Sequence, residues 1–230
     1  MLQNRIVRKL LAGDDTRRTR FHDEAGHSCG FVNGFGIIPS AWSVVQAKMR
    51  GQWLRLPWWV WGAVSFVEAH LNSRDRVIEI GAGYSSLWLA ERCSFVYSVE
   101  ESEHWLHRLG SMADDLGLAS KLTLIHAGAR QGLRRAIETM RNPDVVVIDS
   151  ESRREIFLEL LAQEFVPRVL VYDDTDKCEN RGITQLGTER GYSVHTFRGF
   201  KPQCLHVCET TVLVRADTPV PREANPASTQ

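Results

Sequence analysis

Five carboxylates fall within or just beyond short apolar runs: Glu79, Glu100, Asp149, Asp173 and Asp174. Around the first, the chain reads Val77-Ile78-Glu79-Ile80-Gly81-Ala82-Gly83-Tyr84-Ser85-Ser86, and the apolar stretch 87–90 follows. This is the pattern of a buried strand that enters a helix through glycines. Glycine permits a positive φ and places no Cβ between backbone and ligand, while the helix start offers free N–H groups and the positive end of its dipole. The next apolar run, 95–99, ends at Glu100, about twenty residues on, where a carboxylate can accept both hydroxyls of a ribose. A nucleoside-containing cofactor is therefore expected.

The spacing narrows the choice. A dinucleotide fingerprint wants glycine or alanine at the third position of G-x-G-x-x-G, where helix packs closely on strand, and here that place is Ser86. No lysine follows the glycines, so a phosphate-binding P-loop is excluded. An acidic strand residue followed by G-x-G resembles the first motif of the class I S-adenosylmethionine-dependent methyltransferases. The fuller pattern adds Ser98-Val99-Glu100, Val146-Val147-Ile148-Asp149 with Arg153-Arg154, Val171-Tyr172-Asp173-Asp174-Thr175 and the turn Gly199-Phe200-Lys201-Pro202. It is similar to bacterial members of largely unassigned substrate and spans residues 57–216.

The resemblance implies that Glu79, Gly81, Gly83 and Ser85 shape the turn against the methionine end of S-adenosylmethionine. Glu100 would hold the ribose, and Gly128 and Asp149 would complete the cofactor site. Members of the family often place an acid after the third-strand glycine to meet the adenine amino group; Ala129 stands there instead. Methyl transfer is an in-line displacement, so nucleophile and methyl must be held together, and a hydroxyl acceptor also has to lose its proton. Asp149, Asp173 and Asp174 are the expected catalytic residues. Three converging carboxylates repel, which raises their pKa values or recruits a hard cation, so Mg²⁺ on those three is an option. Cation-dependent catechol-type members carry Asp-Asn where this chain has Asp173-Asp174, and without a metal the carboxylates could simply cap helices. His126 and His195 are alternative bases.

The elements that would position these groups alternate regularly. Helices are expected from Pro57 through Leu71, then over 102–118, 131–140 and 153–165. Strands are expected over 122–125, 144–148 and 168–172, the last two rich in branched residues, as in a strand covered on both faces. Two alternating runs, 192–197 and 210–215, read as a closing hairpin joined through 198–202. The fold class is thus α/β, a Rossmann-like sheet, mostly parallel with an antiparallel C-terminal strand and helices on both faces. An N-terminal helical or irregular cap precedes it, and ligands are expected beyond the carboxyl ends of the strands. The expected division is 1–56 as a cap, 57–216 as the methyltransferase-like domain and 217–230 as a flexible tail.

Within the cap, residues 1–12 form an amphipathic pattern suited to docking on the core or on a second copy, which would give a homodimer through this region. Residues 13–36 read as irregular, a mobile stretch or lid. Trp42, Trp53, Trp58, Trp59 and Trp61 then crowd the approach to the first strand, either as core or as a wall over the substrate. A tryptophan there could also face the sulfonium charge.

Composition sets limits. The 28 basic and 28 acidic side chains cancel, so no global field draws the chain to nucleic acid. No Asn-Pro-Pro-Tyr-like tetrad of amino-methylating enzymes is present, and the expected acceptor is a small molecule with a hydroxyl group rather than RNA or protein. A basic surface around Arg130, Arg134 and Arg135 would revive RNA. A non-catalytic module using the tryptophan-rich cap as an interface is the alternative from another class; it should lack an open acceptor pocket. No apolar run approaches the roughly 20 residues of a membrane span, so a cytoplasmic protein is expected. The five cysteines include no C-x-x-C pair. Cys204, His206 and Cys208 alternate and, with Cys178, offer zinc-type ligands, but the spacing matches no usual zinc pattern, so packed cysteines are expected.

Overall fold

The structure is a computed structural model and describes residues 15–180 and 182–218. Two helices precede the sheet, α1 (Gly30–Gly34) and α2 (Ile37–Arg50), followed by α3 (Trp61–His70). The alternating part comprises β1 (Arg76–Ile80), α4 (Tyr84–Arg92), β2 (Phe95–Glu100), α5 (Glu103–Asp115), β3 (Leu122–His126), α6 (Ala129–Met140), β4 (Val145–Ile148), α7 (Arg153–Leu161) and β5 (Val169–Asp173). It closes with α8 (Ile183–Glu189), β6 (Tyr192–Phe200) and β7 (Val207–Arg215). The seven strands form one sheet in the order β3-β2-β1-β4-β5-β7-β6, parallel except for β7, which runs antiparallel to both β5 and β6. Strand order therefore reverses between β1 and β4, the place where such sheets open a crevice at their carboxyl ends.

The pattern of β4 shows why the sheet is buried on both sides. All four residues are fully buried; Val145 and Val147 join the apolar cluster of Trp59 and Trp88, while Val146 and Ile148 join that of Phe157 and Tyr172. A continuous branched run is stable only with helices on both faces. Close packing is tightest where α6 crosses β2. A Cβ on Gly132 would lie 2.1 Å from Val99 Cγ1, so only glycine lets the helix settle next to the strand that ends in Glu100. Gly132→Ala is expected to cost about 1–3 kcal/mol through overpacking. Urea unfolding measures it, and an unchanged midpoint would show that the helix shifts freely.

Several expectations are corrected. The helix expected from Pro57 begins instead at Trp61, because Val60 is extended (φ −54, ψ 137) and gives its N–H to Thr210 Oγ1 rather than to a helical turn. The hairpin strands are longer than expected. Residues 198–200 belong to β6, where Arg198 sits opposite Glu209 and pairs with it, and the connection is 201–206. The stretch expected to be irregular contains α1, and its described part is tied to the sheet. Arg17 Nε donates to the Val207 carbonyl, the Glu24 N–H to Asp176 Oδ2, and fully buried Asp23 holds Arg198. The amphipathic pattern over 1–12 lies outside the described residues, as does the tail beyond 218. Among the described residues, no helix is long and apolar enough to cross a membrane.

Candidate active site

The glycine turn is built around a buried acid. Glu79 lies on β1 with no exposed surface, and its Oε2 accepts from Ser86 Oγ at 2.5 Å and Ser98 Oγ at 2.6 Å. Ser86 Oγ also accepts the Gly83 N–H at 3.0 Å, so one hydroxyl links the turn to the acid. The serine at the dinucleotide fingerprint's third glycine position is thus a donor that a glycine could not supply. Burial pushes the Glu79 carboxyl up to about 7, against the pull of Ser85, Ser86 and Ser98 and with a further push from Asp149. Its other oxygen, Oε1, is buried without a partner. Gly81 has φ +100, and a Cβ there would come 1.9 Å from the Asp149 carbonyl oxygen, so only glycine lets the turn pass beneath β4's end.

Beyond the turn, a cleft of about 560 Å³ runs over the ends of β1, β2 and β4 and is lined by Gly81, Glu100, Glu101, Ala127, Ala129 and Asp149. Glu100 closes β2, with its Oε1 accepting the Ser102 N–H at 2.9 Å. Glu101 reaches across to the start of α6, where its Oε1 accepts the Ala129 N–H at 3.1 Å. A carboxylate at a helix N-terminus is favoured by the free N–H groups and the dipole. A second recess of about 420 Å³, lined by Trp53, Trp58, Gly83, Tyr84, Ser85 and Trp105 among others, shares Gly81, Glu100 and Asp149 with the first.

The third part of the site lies over β4, β5 and β7. Asp173 is buried; its Oδ1 accepts from Thr210 and its Oδ2 from Lys201 Nζ, each at 2.6 Å. The same buried ammonium donates to Asp174 Oδ1 at 2.6 Å. Arg153 Nη2 bridges Asp149 Oδ1 at 2.8 Å and Asp174 Oδ2 at 3.1 Å, and Lys177 adds a contact to Asp174 at 3.0 Å. Burial works against the Lys201 charge, but the carboxylates outweigh it and hold the ammonium well above its usual range. Burial likewise raises Asp174, and the cations overcome it, holding that carboxyl well below its usual range. Asp173 moves the other way, pushed up by burial against the pull of Lys201. Asp174 also occupies a left-handed backbone conformation, φ 55, the kind of strain that clusters at functional sites. These groups border a pocket of about 640 Å³ that shares Asp149 with both other recesses and Trp58 with the tryptophan-lined one.

No family model matches the chain, and no curated protein sequence matches it. Solved structures do. The O-methyltransferase TomG from Streptomyces achromogenes, involved in tomaymycin synthesis and solved with SAM, superposes with a TM-score of 0.57 at 20% identity over 77% of this chain and 90% of that one. Precorrin-6y C5,15-methyltransferase from Geobacter metallireducens gives 0.54 at 17% over 67% and 87%, and an rRNA methylase from Streptococcus thermophilus 0.51 at 16% over 66% and 92%. This is the class I methyltransferase fold.

Within the methyltransferase fold, Gly81, Gly83, Ser85, Glu100 and Asp149 face the linked recesses, and Glu79 lies directly beneath the turn. Gly128 is between two lining residues, Ala127 and Ala129, at the start of α6. Asp149, Asp173 and Asp174 do converge, but each already meets a cation. Lys201, Arg153 and Lys177 were not singled out from sequence as partners of these acids; an i,i+4 relation of Asp149 to Arg153 on the adjoining helix was the available signal. The tryptophan cluster divides. Trp59 is fully buried against Trp88, Trp53 and Trp58 wall the recesses, and Trp42 is exposed. Neither histidine considered as a base borders the pocket: His195 stacks on Phe66, and His126 donates through Nε2 to the Glu101 carbonyl.

Proposed function

We propose that the chain is an S-adenosylmethionine-dependent methyltransferase that methylates a hydroxyl on a small-molecule acceptor, with residues 57–216 as its catalytic domain and the preceding segment as a cap. The observation that carries this reading is the meeting at Asp149 of a nucleoside-sized cleft and a second, charged pocket. A module that only bound partners would have no use for the second one. The residues present fit the cofactor. Glu100 offers a carboxylate to ribose hydroxyls, and Glu101 supplies beside Ala129 the acid that the third loop lacks. The orphaned Glu79 Oε1 and the Gly81 cradle fit a polar group lying on the turn.

The cofactor supplies an electrophilic methyl group. Trp53 and Trp58 line the recess beside the turn, and tryptophan rings there suit a cation. Asp149, the carboxylate common to all three recesses, is placed to take the acceptor's proton, while Arg153 fixes its orientation through Oδ1. Lys201 holds Asp173 and Asp174 at the far wall; with Arg153 it keeps Asp174 charged against burial, whereas burial prevails at Asp173. Because Lys201, Arg153 and Lys177 give these carboxylates positive partners, the reading uses no Mg²⁺. RNA is disfavoured as acceptor by the chain's balanced charge, 28 basic against 28 acidic side chains, although Arg130, Arg134 and Arg135 share one exposed face on which Glu159 pairs with the first two.

Calorimetric titration with S-adenosylmethionine and S-adenosylhomocysteine tests the reading. Both should bind at micromolar levels, and NADH should not. Glu100→Ala is expected to weaken both about tenfold to a hundredfold, the loss of hydrogen bonds to a charged group. Folded protein that binds neither compound would sink the proposal.

A further inference from the structure

Cys204, His206 and Cys208 come together at the edge of the acceptor pocket. Among the described residues they are the group of histidine, cysteine and acidic side chains whose ligand atoms all lie within 4.8 Å of one another; Asp149, Asp173 and Asp174 do not form such a group. Cys204 Sγ lies 3.3 Å from His206 Nε2 and 3.5 Å from Nδ1. A tetrahedral zinc centre, with bonds of about 2.3 Å to sulfur and about 2.0–2.1 Å to nitrogen, separates those two ligands by roughly 3.6 Å. The observed spacing needs only a small widening.

The fold holds these ligands in place. Cys208 is on β7 opposite Gly199, and the loop that carries the other two turns at Gln203, which has a left-handed φ of 60. That turn is pinned on three sides. The Gln203 N–H donates to Ser43 Oγ at 2.7 Å, its Oε1 accepts the Leu54 N–H at 2.7 Å, and its Nε2 donates to the Leu54 carbonyl at 3.2 Å. On one side the sulfurs border the apolar cluster of Trp59 and Trp88, which limits water access. On another, Arg17 Nη2 stands 3.9 Å from Cys208 Sγ, an outer donor of the kind that steadies a metal-bound thiolate. Cys178, the further zinc-type side chain that the sequence offers, does not join them: it is exposed and lies against Glu179.

We infer that Cys204, His206 and Cys208 bind a divalent ion of the zinc class with its fourth coordination position facing the acceptor pocket. Two thiolates and an imidazole suit a borderline-soft ion, and three protein ligands leave one place for water or an incoming oxygen or sulfur atom. All three residues line the pocket that also contains Lys201 and Asp149. Binding releases the proton of each ligand sulfur that is still a thiol. Only the use of the fourth position, to hold the acceptor's heteroatom, rests on the methyltransferase reading.

The test is anaerobic titration of the reduced full chain with Co²⁺, followed by displacement with Zn²⁺. One equivalent is expected to produce thiolate-to-cobalt charge transfer in the near ultraviolet and the intense visible bands of a four-coordinate site. His206→Ala and Cys204→Ser should each weaken binding by more than about a hundredfold, beyond the effect typical of outer-shell changes. Cys178→Ser should leave the spectrum unchanged, and circular dichroism checks that the variants are folded. Three results would overturn the inference: no cobalt spectrum with all five thiols titratable, a spectrum indifferent to His206→Ala, or a Cys204–Cys208 disulfide in the protein as purified. S-adenosylmethionine binding by the same samples reports separately on the methyltransferase reading.

Discussion

Replacing Lys201 with methionine is expected to lower the unfolding free energy by about 3–5 kcal/mol, the range for breaking a buried ion pair from one side. Lys201 is 6% exposed, and its Nζ lies 2.6 Å from a carboxylate oxygen of both Asp173 and Asp174. Methionine fills a similar volume, so the loss is electrostatic rather than a cavity. Asp173 would then be buried with only Thr210 as a donor and would take up a proton. The double variant Lys201→Met with Asp173→Asn should regain part of the loss, because it removes the buried carboxyl left without its cation. Urea unfolding of the three proteins decides the matter. A single-variant loss below about 1 kcal/mol, the scale of an exposed pair, would show that the cluster is wetter than its burial implies.

Glu79 gives the second large effect, and its sign is set by the direction of its shift. The carboxyl is raised from 4.5 to about 7 in the folded state, chiefly by burial. Between those values the native state holds more protons than the unfolded state, so stability falls as pH rises through the window and levels off above it. The difference corresponds to roughly 3 kcal/mol. Other groups titrate over the same range, so the useful quantity is the wild-type curve minus that of Glu79→Gln, which keeps the shape and loses the charge. That difference should decline from pH 4.5 to about 7, and a flat one would mean that Glu79 is ionised throughout.

Much of this frame was legible in the sequence. The branched run at β4 and the glycine turn after β1 have few other structural solutions, and both appear as expected. Local preference favours a helix start near Pro57, whereas a side chain 150 residues away, Thr210, captures the Val60 N–H and the helix starts at Trp61. Lys201 was hidden for the same reason. Its turn was visible, but nothing local shows that the turn folds back over β5, since that depends on β7 pairing with Asp173 to Val169 in reverse. Ser86 was read only as a missing glycine; its hydroxyl matters because Glu79 needs a donor within the buried strand layer. Glu101 meets the Ala129 N–H across two strand ends, a relation set by the pairing of Glu100 with His126.

The place of β7 between β5 and β6 has a consequence for how the site comes into being during synthesis. Every residue of the cofactor cleft has been made once the chain has passed Lys177. The wall of the second pocket waits for residues 201–210, and among the described residues β6 has β7 as its sole strand neighbour. A growing chain therefore has the cleft over β1, β2 and β4 in hand before the second pocket exists, and β7 closes the gap. Nicking or shortening within Val207–Arg215 should leave β6 without a strand partner and β5 as an open edge, and release the ties of Arg17 and Val60 to β7, in a chain that still contains its glycine turn.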